Sequence, residues 1–276
     1  EEVETATDDI LSAMVFGTHE TQHNTILMQE YVPGSEYAVD VVSKDGVHKT
    51  AAIWIYDRTS TAEDGSNPFA YTSGKLVSSD DPRYPTDDIV NYVTSCLDAL
   101  EVHWGMSHTE VKVTPNGEVR LMEVNVRQQN DNFGPLCAAC IGYDALRLCL
   151  SAYLDENEND SDETKVNLFE LVPDQPILQN SGMIVNLACY VDGVVEAINH
   201  MEKIENLEST MSMQLYPAFA IGNTVSRTKD IRTDCGWVHL VHEDEETMMK
   251  DYIEILRLMP TMFDVEKSTL KTEMVR

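Results

Sequence analysis

The chain has 276 residues, 42% of them hydrophobic, which suffices for one large domain or two smaller ones, each with its own core. Asp and Glu number 48 against 19 Lys and Arg, a formal net charge of -29. With no local basic patch, that balance argues against nucleic acid or an anionic membrane as partner and reads as a heavily solvated surface. No apolar run approaches the ~18 residues of a membrane span and the amino terminus shows no signal-peptide pattern. Six scattered cysteines (Cys96, Cys137, Cys140, Cys149, Cys189 and Cys235), in a chain too long to need disulfide staples, point to a reducing, cytoplasmic compartment.

The chain opens without methionine on EEVETATDDILSAMVFG, which reads as a helix over 2–16. Val3, Ile10, Ala13 and Met14 recur at loosely helical spacing, acids crowd the front where the helix dipole tolerates them, and Gly17 stops it. A piece of a longer protein is the expectation. Residues 26–58 alternate as two or three antiparallel strands, with turns at Pro33–Gly34 and Asp45–Gly46. Residues 60–85, rich in Ser, Gly, Pro and Asp, read as a long surface loop of the kind that often forms a functional lid. Residues 86–100 predict a helix capped by Thr86 or Asp87, with Ile89, Val93, Cys96, Leu97 and Leu100 on one face.

A hairpin over 108–127 comes next, followed by one helix from about 134 to 154. Cys137 and Cys140 in that helix form C-x-x-C, but their small and apolar neighbours favour packing over redox or zinc chemistry. The acidic LDENENDSDETK stretch, 154–165, marks a boundary between a domain over 1–155 and another over 156–276. The second half predicts short strands around turns at Asp192–Gly193 and Gly222–Asn223, then a helix stopped by Pro260. No internal repeat is present.

The hairpin carries the chemistry. Thr114-Pro115-Asn116-Gly117 suits a type I turn with Gly in the left-handed conformation, pairing Thr114 with Glu118 and Lys112 with Arg120. Polar residues alternate as His108, Glu110, Lys112 on one strand and Glu118, Arg120 on the other, and then the phase flips to Glu123, Asn125 and Arg127. An extra residue at Leu121–Met122 absorbs the flip as a bulge and sets Glu110 opposite Glu123. Two opposed carboxylates repel and call for a cation, and hard oxygen ligands, with Asn125 adding a neutral one, suit magnesium. Arg127 on the same face is placed to hold an anion that the metal also touches. A second constellation, Met28 to Glu36, offers backbone groups of an extended segment to a flat base and a carboxylate, Glu36, to a ribose; read without a ligand it is a strand and a turn with Glu36 exposed.

Taken together, QEYVPGSEYAVDVV, the WIYDR strand, the loop ending FAYTSGKLVS and HTEVKVTPNGEVRLMEVNVR resemble the ATP-grasp superfamily, and within it the carboxylate-amine ligases that act on amino acids. The resemblance runs from residue 1 to about 155 and weakly beyond. It implies an α+β ATP-grasp fold, an antiparallel sheet with flanking helices, followed by a small mixed α/β carboxy-terminal domain. It also implies ATP-dependent ligation of a small-molecule carboxylate and an amine through an acyl phosphate, with ATP and Mg2+ as cofactors. By this likeness Gln29, Glu30, Tyr31 and Val32 form the adenine-binding connection and Glu36 takes the ribose. Glu110, Glu123 and Asn125 hold magnesium, Arg127 stabilises the phosphoryl group, and His108 and Lys75 approach the substrate or phosphates.

Two departures from the family's pattern stand out. Relatives carry a phosphate-binding lysine, a glycine-rich loop and a further domain upstream of the point where this chain begins, so the chain alone is not expected to turn over. A homodimer or a missing amino-terminal segment both stay open. Many relatives also follow the last arginine with a glycine pair, where this sequence has Gln128-Gln129-Asn130-Asp131-Asn132, which leaves the acceptor pocket unassigned. The rival reading is a non-catalytic ATP-grasp-like subunit of a larger assembly. A carboxylase-type or purine-pathway ATP-grasp enzyme comes third.

Overall fold

Two strands apolar on both faces form the centre of the fold. β1 (Ser35–Lys44) and β2 (Val47–Asp57) are buried along most of their length, because helices cover the sheet on either side. Asp45 and Gly46 both take positive φ, 51° and 80°, and join them in a tight turn of the kind that matches strand twist. The protein is described here by a computed structural model over residues 2–12, 23–58, 71–130, 132–154 and 167–266. It divides into two compact units, Glu1–Pro33 and Gly34–Arg276.

The first unit contains helix α1 (Glu2–Ser12) and residues 23–33, which have no regular secondary structure. The strand expected from residue 26 therefore starts only at Ser35. The expected continuation of the first helix to 16 and its stop at Gly17 lie outside the described residues.

In the second unit β3 (Ser73–Leu76) is followed by α2 (Thr86–Ala99), the hairpin β4 (Gly105–Val113) and β5 (Val119–Asn125), then α3 (Phe133–Ile141), α4 (Ala145–Tyr153) and α5 (Leu168–Leu171). After these come β6 (Ser181–Leu187), β7 (Gly193–Ile198), α6 (Met201–Glu205), β8 (Thr210–Leu215), β9 (Thr224–Val225), β10 (Gly236–His242), α7 (Glu245–Leu258) and β11 (Phe263–Glu266). Eight strands form one antiparallel sheet in the order β5-β4-β1-β2-β3-β6-β10-β8, and a smaller sheet has the order β11-β7-β9.

β3 is the splice. Residues 60–85 read as a loop, yet Ser73–Leu76 pair with β2 on one side and with β6 on the other. The sheet therefore runs straight across the boundary expected at 155/156, and the carboxy-terminal residues extend it. β3 escapes a reading of periodicity because Ser, Gly and Lys fill a strand whose partners, not its composition, bury it.

Three apolar clusters hold the layers together. Val39, Val41, Ile53 and Val111 meet Ile89, Val93 and Leu97 of α2 on one face. Ala38, Val42, Ala52 and Trp54 meet α3, α4 and α5 on the other. The third lies among β6, β10, α7 and the small sheet. Helix α2 matches its expected span, but Pro85 occupies the cap position and the Thr86 hydroxyl donates instead to the Ser79 carbonyl, 2.9 Å; Leu100 is exposed beyond the end.

The single helix expected over 134–154 is two helices bent by 84°. Gly142, at φ 96°, ends α3, and the Asp144 carboxylate accepts from the Arg147 amide to start α4. Cys137 and Cys140 are buried free thiols, with burial pushing the first well above its ordinary value and the second up to about 12. Both stay protonated, as core packing requires. Among the described residues no single helix is long and apolar enough to cross a membrane.

Gly182 shows how closely α3 lies on β6. A Cβ there would stand 2.3 Å from Cys140 Sγ and 3.3 Å from Leu136 and Leu76 methyls. Gly182→Ala is expected to cost about 1–3 kcal/mol of unfolding free energy by overpacking, and adding Cys140→Ala should recover part of that loss. Denaturant unfolding of both single mutants and the double checks it; strictly additive losses would contradict the contact.

Candidate functional site

The hairpin β4–β5 has the register its turn and bulge demand. The Gly117 amide donates to the Thr114 carbonyl at 2.9 Å, Gly117 has φ 85°, and Thr114 pairs with Glu118. Lys112 faces Arg120 and Val111 faces Leu121, but Glu110 faces Glu123, so Met122 is the extra residue. His108 then faces Asn125. On its other side β4 pairs with β1, setting Ala38 beside Glu110 and Asp40 beside His108. Because side chains alternate, Glu36, Asp40, His108, Glu110, Glu123 and Asn125 all leave the face opposite α2.

That face is a charge mosaic. Asp40, 4% exposed, accepts from Trp54 Nε1 at 2.8 Å through one oxygen and meets His108 Nδ1 at 2.7 Å through the other. His108 Nε2 lies 3.4 Å from Glu110. Burial works against a charged imidazole, but the hydrogen bonds and charges of Asp40 and Glu110 outweigh it and push the His108 pKa up to about 9. An imidazolium thus stands between two carboxylates at neutral pH. On β5 the Asn125 amide donates to Glu123 at 2.7 Å.

The polar groups border a cavity of about 260 Å³, whose walls include His108, Glu110, Arg127, Gln129, Tyr56 and Tyr71. Its far side is Ile184, Asn186 and Ile231, supplied by the carboxy-terminal part of the chain. Arg127 donates to the Gln128 carbonyl at 2.8 Å, and among the described residues no carboxylate lies within ion-pair distance of it. A guanidinium at a cavity wall without a carboxylate partner is suited to an anionic ligand.

The other expected site residues are placed differently. Glu36 is buried rather than exposed. It is 6% exposed, one oxygen accepts from Arg58 at 2.8 Å and from the Tyr71 hydroxyl at 2.6 Å, and Lys112 stands 3.8 Å from the other. Lys75 is not brought to the cavity. It alternates with Gly74, which lines the cavity, and so leaves the opposite face, where it pairs with Glu245 at 2.6 Å and lies over the Tyr84 ring. Gln29, Glu30, Tyr31 and Val32 belong to the first unit, in the irregular stretch 23–33.

Among the described residues no group of three His, Cys, Asp or Glu side chains is arranged to hold a metal ion. Glu110, Glu123 and Asn125 are two carboxylates and an amide. They form a partial set of hard oxygen donors, as magnesium takes when phosphate oxygens and water complete its shell. Sequence reasoning missed Asp40 and Gln129. The signal for Asp40 was a lone acid in an otherwise apolar strand, AVDVV.

Residues 1–135 match the model of the ATP-grasp domain. That stretch, just under half of the chain, is similar to the ATP-grasp domain family. Among solved structures, an L-amino acid ligase from Bacillus licheniformis superimposes with a TM-score of 0.68 at 16% identity, over 86% of this chain and 55% of that one. Phosphoribosylglycinamide synthetase from Anaerococcus prevotii gives 0.57 at 12% identity, over 86% and 54%. N5-carboxyaminoimidazole ribonucleotide synthetase from Thermotoga maritima gives 0.54 at 16% identity, over 88% and 57%. The chain spans just over half the length of these proteins, and at such identities the likeness is one of fold. No curated protein matches in sequence. The antiparallel sheet with helices on both faces is the ATP-grasp fold.

A raised histidine pKa stabilises the folded state below the unfolded value near 6.5 and ceases to do so as pH rises through about 9. The metal-free protein is therefore expected to lose unfolding free energy between pH 6.5 and 9, and His108→Gln should flatten that slope. An NMR titration of His108 with its midpoint below 7 would contradict the assignment.

Proposed function

We propose that the protein is an ATP-dependent ligase that joins a carboxylate, most plainly that of an amino acid, to an amine through an acyl phosphate. One observation carries the reading: Glu110 and Glu123 oppose each other across β4–β5, with Asn125 beside them and Arg127 on the wall of the same cavity. The likeness in fold to an L-amino acid ligase supports the substrate class.

In this reading Glu110, Glu123 and Asn125 would hold magnesium. The magnesium nucleotide, when bound, supplies the phosphoryl group that activates the carboxylate. The chain's own part is positioning and charge neutralisation. Arg127 binds and orients the anionic substrate or its phosphorylated form. His108 fixes Glu110 from behind and cancels part of the negative field that the carboxylates would otherwise turn on an incoming anion. Neither Glu36 nor Lys75 is assigned a ligand, since each is already committed to a salt bridge.

In the full-length protein Glu123→Ala is expected to lower magnesium-dependent ATP consumption about 100-fold or more, the scale for losing a preorganised electrostatic group. Phosphate release at saturating magnesium and ATP measures it. Turnover equal to that of the unsubstituted protein would remove Glu123 from the site.

A further inference from the structure

A second cavity, of about 360 Å³, lies against the first, and Gln129, Asn130 and Phe133 line both. Gln129 is 9% exposed. Its Nε2 donates to the Tyr56 hydroxyl at 2.8 Å, while its Oε1 is buried with no hydrogen-bond partner. Buried polar atoms are nearly always satisfied, so an unpartnered amide oxygen on a side chain that lines both cavities points to a donor supplied from outside the chain.

The two cavities differ in their charged groups. The first is lined by Arg127 and Glu110, which suits a carboxylate or phosphate that arrives with a cation. The second presents the carboxylates of Asp40 and Asp144, which favour an amine. Asp40 has both oxygens engaged by Trp54 and His108, so it contributes field without direct contact. Asp144 caps α4 and lies 3.5 Å from Arg147 Nε, which puts a largely exposed guanidinium at the rim. The remaining wall is apolar: Phe133, packed edge-on to Trp54, with Ala138 and Leu146. A negative pole, a positive rim and an apolar side, in a volume of small-molecule size, match an α-amino acid with an apolar side chain.

We propose that the second cavity takes the amine substrate, an α-amino acid with an apolar side chain, and that Gln129 Oε1 accepts a hydrogen bond from its amino group at the wall the two cavities share. The inference rests on the ligase reading. Gln129 then sits where an amine must approach the activated carboxylate, and it sets which amines are admitted.

The test uses the full-length protein, ATP, magnesium and the most active carboxylate from a phosphate-release screen of the L-amino acids. Hydroxylamine and L-leucine are the alternative amines. Hydroxylamine is small enough to intercept the acyl phosphate as a hydroxamate without the second cavity. Gln129→Leu keeps the volume and removes the acceptor, and Leu146→Trp narrows the cavity from its exposed side. Each is expected to raise the KM for L-leucine about tenfold or more, and in Leu146→Trp, at a residue that lines the second cavity and not the first, the KM for the carboxylate, read as hydroxamate, moves less than about twofold. Gln129→Glu, which restores an acceptor oxygen, should recover much of the L-leucine affinity. An unchanged KM for L-leucine in both Gln129→Leu and Leu146→Trp overturns the placement and leaves the ligase reading standing. Failure of the unsubstituted protein to form any hydroxamate overturns the ligase reading and this inference with it.

Discussion

Glu36, Asp40 and Glu110 leave one face of two neighbouring strands, and carboxylates packed this closely away from water require opposite charge within a few ångströms. Each has it. Arg58 and Lys112 stand by Glu36, and His108 stands between Asp40 and Glu110. Breaking any one of these pairs would strand a charge rather than merely delete a contact. The compensation is uneven along the face. It is complete at Glu36, shared between two acids at His108, and absent for Arg127 among the described residues. That gradient turns a polar sheet face into a site, because the unpaired charge is what a ligand can answer.

The sheet itself makes the site possible. β3 joins strands from the two halves of the chain, and the same splice brings Ile184 and Asn186 of the β6 region opposite the hairpin. A carboxy-terminal domain held apart from the first would have left the cavity with one wall. On the reverse face the same strand sends Lys75 to Glu245 at the start of α7, and Arg83 reaches that glutamate too. This cluster ties α7 to the sheet on the side away from the chemistry.

The hairpin was legible because its signals are local. The Pro-Asn-Gly turn fixes the register, and a phase flip in an alternating strand has few physical solutions besides a bulge. The pairs that Glu36 and Lys75 make were not legible because their partners lie far along the chain: Arg58 and Tyr71 are 22 and 35 residues from Glu36, and Glu245 is 170 residues from Lys75. No local pattern announces such pairs. The break between α3 and α4 was hidden differently. Gly142 and Asp144 are ordinary stop and start signals, but apolar spacing continues through them and outweighed them in the reading. Asp40 and Gln129 show the remaining gap, since an isolated polar residue reveals its role only when its neighbours in space are known.

Diffraction from crystals of the full-length protein grown with Mn2+ and a non-hydrolysable ATP analogue tests the central claim most directly, because manganese gives an anomalous signal in place of magnesium. The account predicts an anomalous peak within about 2.5 Å of oxygens from both Glu110 and Glu123, with Asn125 adjacent and Arg127 turned toward the terminal phosphate. A peak elsewhere in the molecule, with Glu110 and Glu123 binding no ion while the nucleotide is in place, would contradict it.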